Sequence, residues 1–177
     1  ISMVNTIFLF GYMGAGKTVI GKSLSKSIDY EFYDLDNFIE LGEKKKISEI
    51  FNDHNEIYFR NLENKYLKTL SQKKEKKVIS LGGGTPCFET NIEIIANTPD
   101  STSIYLKASV NSLINRLKDG MTKRPIISHL KSDDDLKDFI NKHLFERSFY
   151  YEKADIKITT DDLEINQIIK LIKGILA

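Results

Sequence analysis

The sequence predicts an α/β domain of three layers, α/β/α, with a five-stranded parallel sheet between two layers of helices. Three observations carry that prediction: five short apolar runs, stretches of helical apolar period between them, and glycine clusters closing two of the runs. A strand covered on both faces must be apolar nearly throughout, and the runs have that character.

Residues 4–10 form the first run, ended by glycine. Ile20, Leu24 and Ile28 then repeat every four residues, which gives a helix with one apolar stripe. Residues 31–35 read as the second strand, ending in Asp34-Leu35-Asp36, and Phe38 and Ile39 as a short helix stopped at Gly42. A longer helical stretch carries Ile47, Ile50, Phe51, Phe59, Leu62, Tyr66 and Leu70, with a turn expected at residues 52–55. Residues 77–81 are the third strand, cut off by Gly82-Gly83-Gly84. A weak helix over 91–97, a fourth strand over 101–106 and a helix marked by Val110, Leu113 and Leu117 follow. Residues 119–135 have no period, and a stretch of that length in a small domain suits a functional, mobile segment. Leu136, Ile140 and Leu144 resume helix, 154–160 is the fifth strand, and Ile165, Ile168, Ile169, Ile172 and Leu176 mark the last helix.

The 177 residues fit one domain able to close a pocket. Lys plus Arg number 26 against 25 for Asp plus Glu, so the basic excess of a nucleic-acid binder is missing and no nucleic-acid partner is expected. The Lys44-Lys45-Lys46 run and the lysines of 73–77 read as solvated surface beside helix ends. With one cysteine, Cys87, no intrachain disulfide forms. No apolar run has membrane-span length and no signal peptide is visible, so a cytoplasmic protein with no membrane partner is expected, acting as a monomer. Ile1 and Ser2, ahead of Met3, read as an expression remnant outside the fold.

Residues 11–18, GYMGAGKT, fit G-x-x-x-x-G-K-[ST] between a strand and a helix, the context that pattern needs. At average glycine usage such a match arises by accident in under roughly one chain in a hundred. The backbone of Gly14, Ala15, Gly16, Lys17, Thr18 and Val19 is expected to wrap the phosphates of ATP at the helix N-terminus. Lys17 would reach the outer phosphates and Thr18 would place its hydroxyl on Mg²⁺. Strand alternation would aim Asp34 and Asp36 the same way, one toward Mg²⁺ through water and the other at a hydroxyl proton; a helix N-cap is the alternative. Gly82, Gly83 and Gly84 offer bare backbone to a ligand. Arg60 and Glu63, three apart, can pair, and Arg147 points along an apolar helix stripe. An arginine so placed needs an anion, which is either an internal carboxylate or a ligand's. Arg124, before Pro125 in the aperiodic segment, suits a lid or a solvated loop. Cys87 reads as a packing residue, and His54, His129 and His143 lack metal-ligand spacing.

GYMGAGKT at 11–18, DLD at 34–36, FRNLE at 59–63, ISLGGG at 79–84, RP at 124–125 and LFER at 144–147 together resemble the shikimate kinases over nearly the whole chain. The resemblance implies the P-loop nucleoside-monophosphate-kinase-like fold, and phosphorylation of the 3-hydroxyl of shikimate by ATP with Mg²⁺. It implies one domain over 1–177, with substrate-binding helices at about 34–64 and a lid at about 118–134. By position, Asp36 is implied as base and ring-hydroxyl contact, and Asp34 and Ser80 as holders of the metal's waters. Arg60 and Arg147 would grip the carboxylate, with Glu63 orienting Arg60 and Gly83 meeting the substrate by its backbone between Gly82 and Gly84. Lys17 and Arg124 would act on the transferring phosphate, and Arg116 would stack on adenine. Asn55 stands where the family usually has glycine, and the proline often found beside adenine has no counterpart in residues 160–166. A gluconate-type kinase, a nucleoside monophosphate kinase and a non-catalytic nucleotide-binding module are the rival readings.

Overall fold

The computed structural model describes residues 4–118, 127, 130 and 132–177. Arg124, His129, most of the expected lid, and Ile1 and Ser2 lie outside the described residues. The order is β1 (Thr6–Phe10), α1 (Lys17–Ile28), β2 (Glu31–Asp34), α2 (Leu35–Glu43), α3 (Ile47–Asp53), α4 (Glu56–Ser71) and β3 (Lys77–Ser80). A 3₁₀ turn (Thr85–Cys87) leads into α5 (Glu89–Ala96), β4 (Ser101–Lys107), α6 (Val110–Leu117), α7 (Asp133–Tyr151), β5 (Ile156–Thr159) and α8 (Ile165–Leu176).

The five strands are all parallel, in the order β2-β3-β1-β4-β5. Alternation along β1 divides the core in two. Ile7 and Leu9 face α1 and α8, meeting Ile20, Leu24, Ile168 and Ile172. Phe8 and Phe10 face the other layer, where Leu35, Ile39, Phe59, Leu67, Leu113, Leu136, Ile140 and Tyr151 pack. From central β1 the chain runs first toward β2 and later toward β5. The loops therefore diverge beyond the carboxyl end of β1, which is where open α/β sheets bind ligands.

Local chemistry moves several boundaries away from the sequence expectation. The second strand stops at Asp34, because that residue caps α2: its carboxylate accepts from Asn37 N at 3.3 Å. Asp36 thus lies in the first turn of a helix, not on a strand. The helix runs past Gly42 to Glu43 and closes on Lys44, whose φ is 54°. Gly42 serves instead as a contact with the Tyr66 ring, since a Cβ there would overlap the phenol. Asn55 holds an ordinary extended backbone and caps α4 by accepting from Tyr58 N at 2.9 Å. The helix after the aperiodic segment begins at Asp133, three residues before its first apolar position. Ser132 caps it, and three aspartates favour the positive end of its dipole. Among the lysine runs, Lys45 and Lys46 pair on the surface with Asp53 and Glu40. Lys77 departs from the surface reading: it is buried, and its ammonium donates to the carbonyls of Lys73 and Glu75. No helix among the described residues is long and apolar enough to cross a membrane.

Candidate active site

The loop between β1 and α1 turns on positive φ values of 148°, 81° and 91° at Gly11, Gly14 and Gly16, a region that glycine enters without cost. Gly16 holds the N-cap position of α1, so the free N–H groups of the first turn open toward a cleft. That cleft has a volume of about 390 Å³, within the range of small-ligand sites. Gly14, Gly16, Lys17, Thr18, Val19 and Arg116 line one part; Asp34, Asp36, Ser80, Gly82 and Gly83 line the other. Ala15 is buried beneath the loop, its N–H donating to Tyr12 O at 3.1 Å. The Lys17 ammonium donates to Gly11 O at 2.7 Å and Tyr12 O at 3.0 Å, which tethers it across the loop. Arg116, at the outer rim, donates to Gly14 O at 3.4 Å.

The Thr18 hydroxyl donates to Asp34 at 2.8 Å, so one carboxylate both caps α2 and holds the hydroxyl of the loop. Thr18, Asp34 and Ser80 offer only hard oxygen donors, as Mg²⁺ prefers. No group of three His, Cys, Asp or Glu side chains among the described residues could form a metal cage. That donor set fits an ion carried largely by phosphates and water.

Asp36 is pushed up to about 6, first by burial and then by the charges of Glu63 and Asp34, with Lys17 and Arg60 opposing. It therefore titrates close to neutrality, as a proton acceptor should. Its Oδ1 lies 3.0 Å from where a Cβ on Gly82 would sit, and Glu63 Oε1 lies 3.1 Å from the same point. The bare glycine lets both carboxylates close in.

Arg60 is 15% exposed in its side chain and Glu63 1%, and Arg60 Nη1 donates to Glu63 at 2.5 Å. Glu56, one turn earlier, takes Arg60 Nη2 at 3.0 Å. The rings of Phe88 and Phe59 lie 4.8 and 5.5 Å from its guanidinium carbon. A Cβ on Gly84 would fall 2.6 Å from Arg60 Nη2, so the third glycine makes room for this guanidinium. Arg147 arrives from α7, with Nη1 3.5 Å from the Cβ position of Gly83. The structure thus gathers the loop, both aspartates, Ser80, the three glycines, Glu63 and the two arginines at one end of the sheet.

Sequence reasoning misses the supports of these groups. Thr85 donates to Glu63 at 2.5 Å, and fully buried Asn91 donates to Thr85 O while accepting from Asn64. Tyr151, also fully buried, donates its hydroxyl to Gly83 O at 2.6 Å. An asparagine on an apolar helix is the one visible signal for the first set. The position of Tyr151 one turn after Arg147 is the signal for the second. Cys87 is half-buried, and burial raises its thiol to about 11, which leaves it a poor nucleophile.

A glycine loop facing two aspartates across a cleft on this sheet, with two arginines beside the glycines that follow β3, marks a P-loop kinase of a small molecule. Residues 13–176 match the family model for shikimate kinase. The chain belongs to the shikimate kinase family. The shikimate kinase of Flavobacterium johnsoniae is 45% identical over 171 residues, 97% of this chain and 98% of that relative. A crystal structure of the shikimate kinase from Bacteroides thetaiotaomicron superposes with a TM-score of 0.89 at 36% identity, covering 97% of each chain. One from Acinetobacter baumannii, solved in complex with shikimate, gives 0.86 at 27% identity over 99% of this chain and 94% of that one. The protein is an ATP- and Mg²⁺-dependent enzyme that phosphorylates shikimate, on the route to the aromatic amino acids.

Proposed function

We propose that phosphate is transferred to the 3-hydroxyl of shikimate, with Asp36 taking the proton and Arg60 and Arg147 holding the carboxylate. The observation that carries this reading is the row of three glycines after β3. Asp36 flanks Gly82, Arg147 flanks Gly83 and Arg60 flanks Gly84. A ring laid along that row meets a base at one end and two guanidiniums at the other, with the Gly83 backbone between them.

Lys17 and the N–H groups of Gly14, Gly16, Lys17, Thr18 and Val19 hold the phosphates in line with the hydroxyl, which supplies the positioning and electrostatics that phosphoryl transfer needs; the Ala15 N–H, expected to join them, is spent on Tyr12 O. Mg²⁺, held by Thr18 and through water by Asp34 and Ser80, would neutralise charge on the outer phosphate oxygens. Glu63 keeps the Arg60 guanidinium turned toward the pocket, and Arg116 covers the nucleotide's adenine end. Arg124, in the segment outside the described residues, is assigned to the lid on the strength of its motif. We take the enzyme to work as a cytoplasmic monomer without a nucleic-acid partner, in keeping with its net charge of +1.

A coupled ADP-release assay tests the reading. Turnover with Mg-ATP is expected to require shikimate, to exceed turnover with gluconate, and to vanish in Lys17→Ala. Shikimate-independent ADP release, or near-normal turnover of the lysine variant, would overturn it.

A further inference from the structure

Tyr12 belongs to the nucleotide loop, yet its side chain does not line the cleft and is only 2% exposed. It packs on α7. Its hydroxyl lies 3.2 Å from His143 Nδ1, and the two rings meet edge-on with centroids 6.2 Å apart. The guanidinium carbon of Arg147 stands 5.7 Å from the centroid of the same phenol. His143 and Arg147 are four residues apart, so one turn of α7 presents both to a single ring.

The contact is fixed at each end. Burial, and then the charge of Arg147, hold His143 below its ordinary range, which favours the neutral ring. Burial raises Tyr12 to about 12, so its hydroxyl stays protonated in this contact. Phe139 packs on His143 at 4.2 Å between centroids. The carbonyl of Tyr12 is held by Ala15 N and the Lys17 ammonium.

Arg147 differs from Arg60 in one respect. Arg60 is paired with two glutamates, whereas no ion pair engages Arg147 among the described residues. Its neighbours include the phenols of Tyr12 and Tyr151. A carboxylate would place the guanidinium and neutralise it; an aromatic face places it and leaves its charge available to a ligand.

We infer that Tyr12 is a positioning residue for the reaction, which from the nucleotide loop sets the place of Arg147 and hence the grip on the acceptor's carboxylate. The inference rests on the assignment of Arg147 to that carboxylate. Its consequence is selective: loss of Tyr12 harms recognition of the acceptor's negative charge, although the residue sits in the ATP motif.

Steady-state kinetics with two acceptors, shikimate and its uncharged methyl ester, test this. Tyr12→Leu is expected to raise the shikimate KM about tenfold, to leave the ATP KM within about twofold, and to leave kcat/KM for the ester nearly unchanged. Tyr12→Phe, which keeps the ring and loses the bond to His143, should show the same pattern at about threefold. Equal losses on both acceptors, or a loss confined to the ATP KM, overturn the inference. Arg147→Ala, run beside them, separates the two levels. If it too fails to distinguish the acceptors, the assignment of Arg147 falls. If it distinguishes them and Tyr12→Leu does not, only the role of Tyr12 falls. Should Tyr12→Leu melt below the assay temperature, Tyr12→Phe and His143→Leu carry the same comparison, with the same outcome required of each.

Discussion

Asp36 holds two opposed properties in one carboxylate. Burial and its acidic neighbours raise it to about 6, which suits a base but makes the charged form costly to the fold. The folded state binds that proton more tightly than the unfolded chain does. Stability therefore falls as pH rises from about 4 to about 6, and the full penalty persists above that. With Asp36 as the proposed base, activity runs the other way, and kcat/KM should decline as pH falls through about 6. Asp36→Asn is expected to abolish turnover yet stabilise the protein by roughly 2–3 kcal/mol near pH 8, with little gain near pH 4. Denaturant titrations at the two pH values check this, and an unstabilised variant at pH 8 would show that Asp36 carries no such penalty.

At the level of elements, the loop after β3 acts as a spacer between α4 and α7. A Cβ at Gly84 would fall 3.0 Å from the Arg60 guanidinium carbon, whereas one at Gly83 would meet Arg147 at an ordinary 3.5 Å. Gly84→Ala should therefore displace Arg60 and raise the shikimate Kd about tenfold by calorimetry, with ATP affinity unchanged. An unaltered shikimate Kd would mean that Arg60 can swing aside freely. Much of this arrangement was legible in the chain. The glycine loop, the apolar strands and the Arg60–Glu63 spacing are local patterns, and short-range sterics and helical period decide them. Asp36 was harder to place, because the Asp34 cap turns the chain into helix one residue early. Asp34 does cap α2, and the same carboxylate accepts from the Thr18 hydroxyl. Tyr12 and His143 are 131 residues apart and Thr85 and Glu63 are 22 apart, so only tertiary packing brings them together.

Across the whole molecule, the proposed acceptor pocket joins opposite halves of the sheet. Asp36 and Arg60 come from the connection between β2 and β3, and Arg147 from the connection between β4 and β5, with the nucleotide loop of central β1 between them. A ligand touching both halves should stabilise the domain as a unit. Shikimate at about a hundred times its Kd would add about 2.7 kcal/mol, which for a domain of this size raises the melting temperature by about 5–10 °C. Thermal melts should show that rise in the parent protein and lose most of it in Arg60→Ala at the same shikimate concentration. An equal rise with gluconate would contradict the carboxylate-and-ring pocket.

The buried Arg60–Glu63 pair also bears on how such an enzyme can evolve. Glu63 is almost wholly enclosed, and without Arg60 its charge would keep only the Thr85 hydroxyl among the described residues, a loss of about 3 kcal/mol or more by the usual cost of breaking such a pair. A lineage drifting toward an uncharged acceptor would thus lose foldedness before it gained a new substrate, unless both codons changed together. With Arg60 on the substrate carboxylate as proposed, the same barrier would disfavour escape from a carboxylate-bearing inhibitor through this pair.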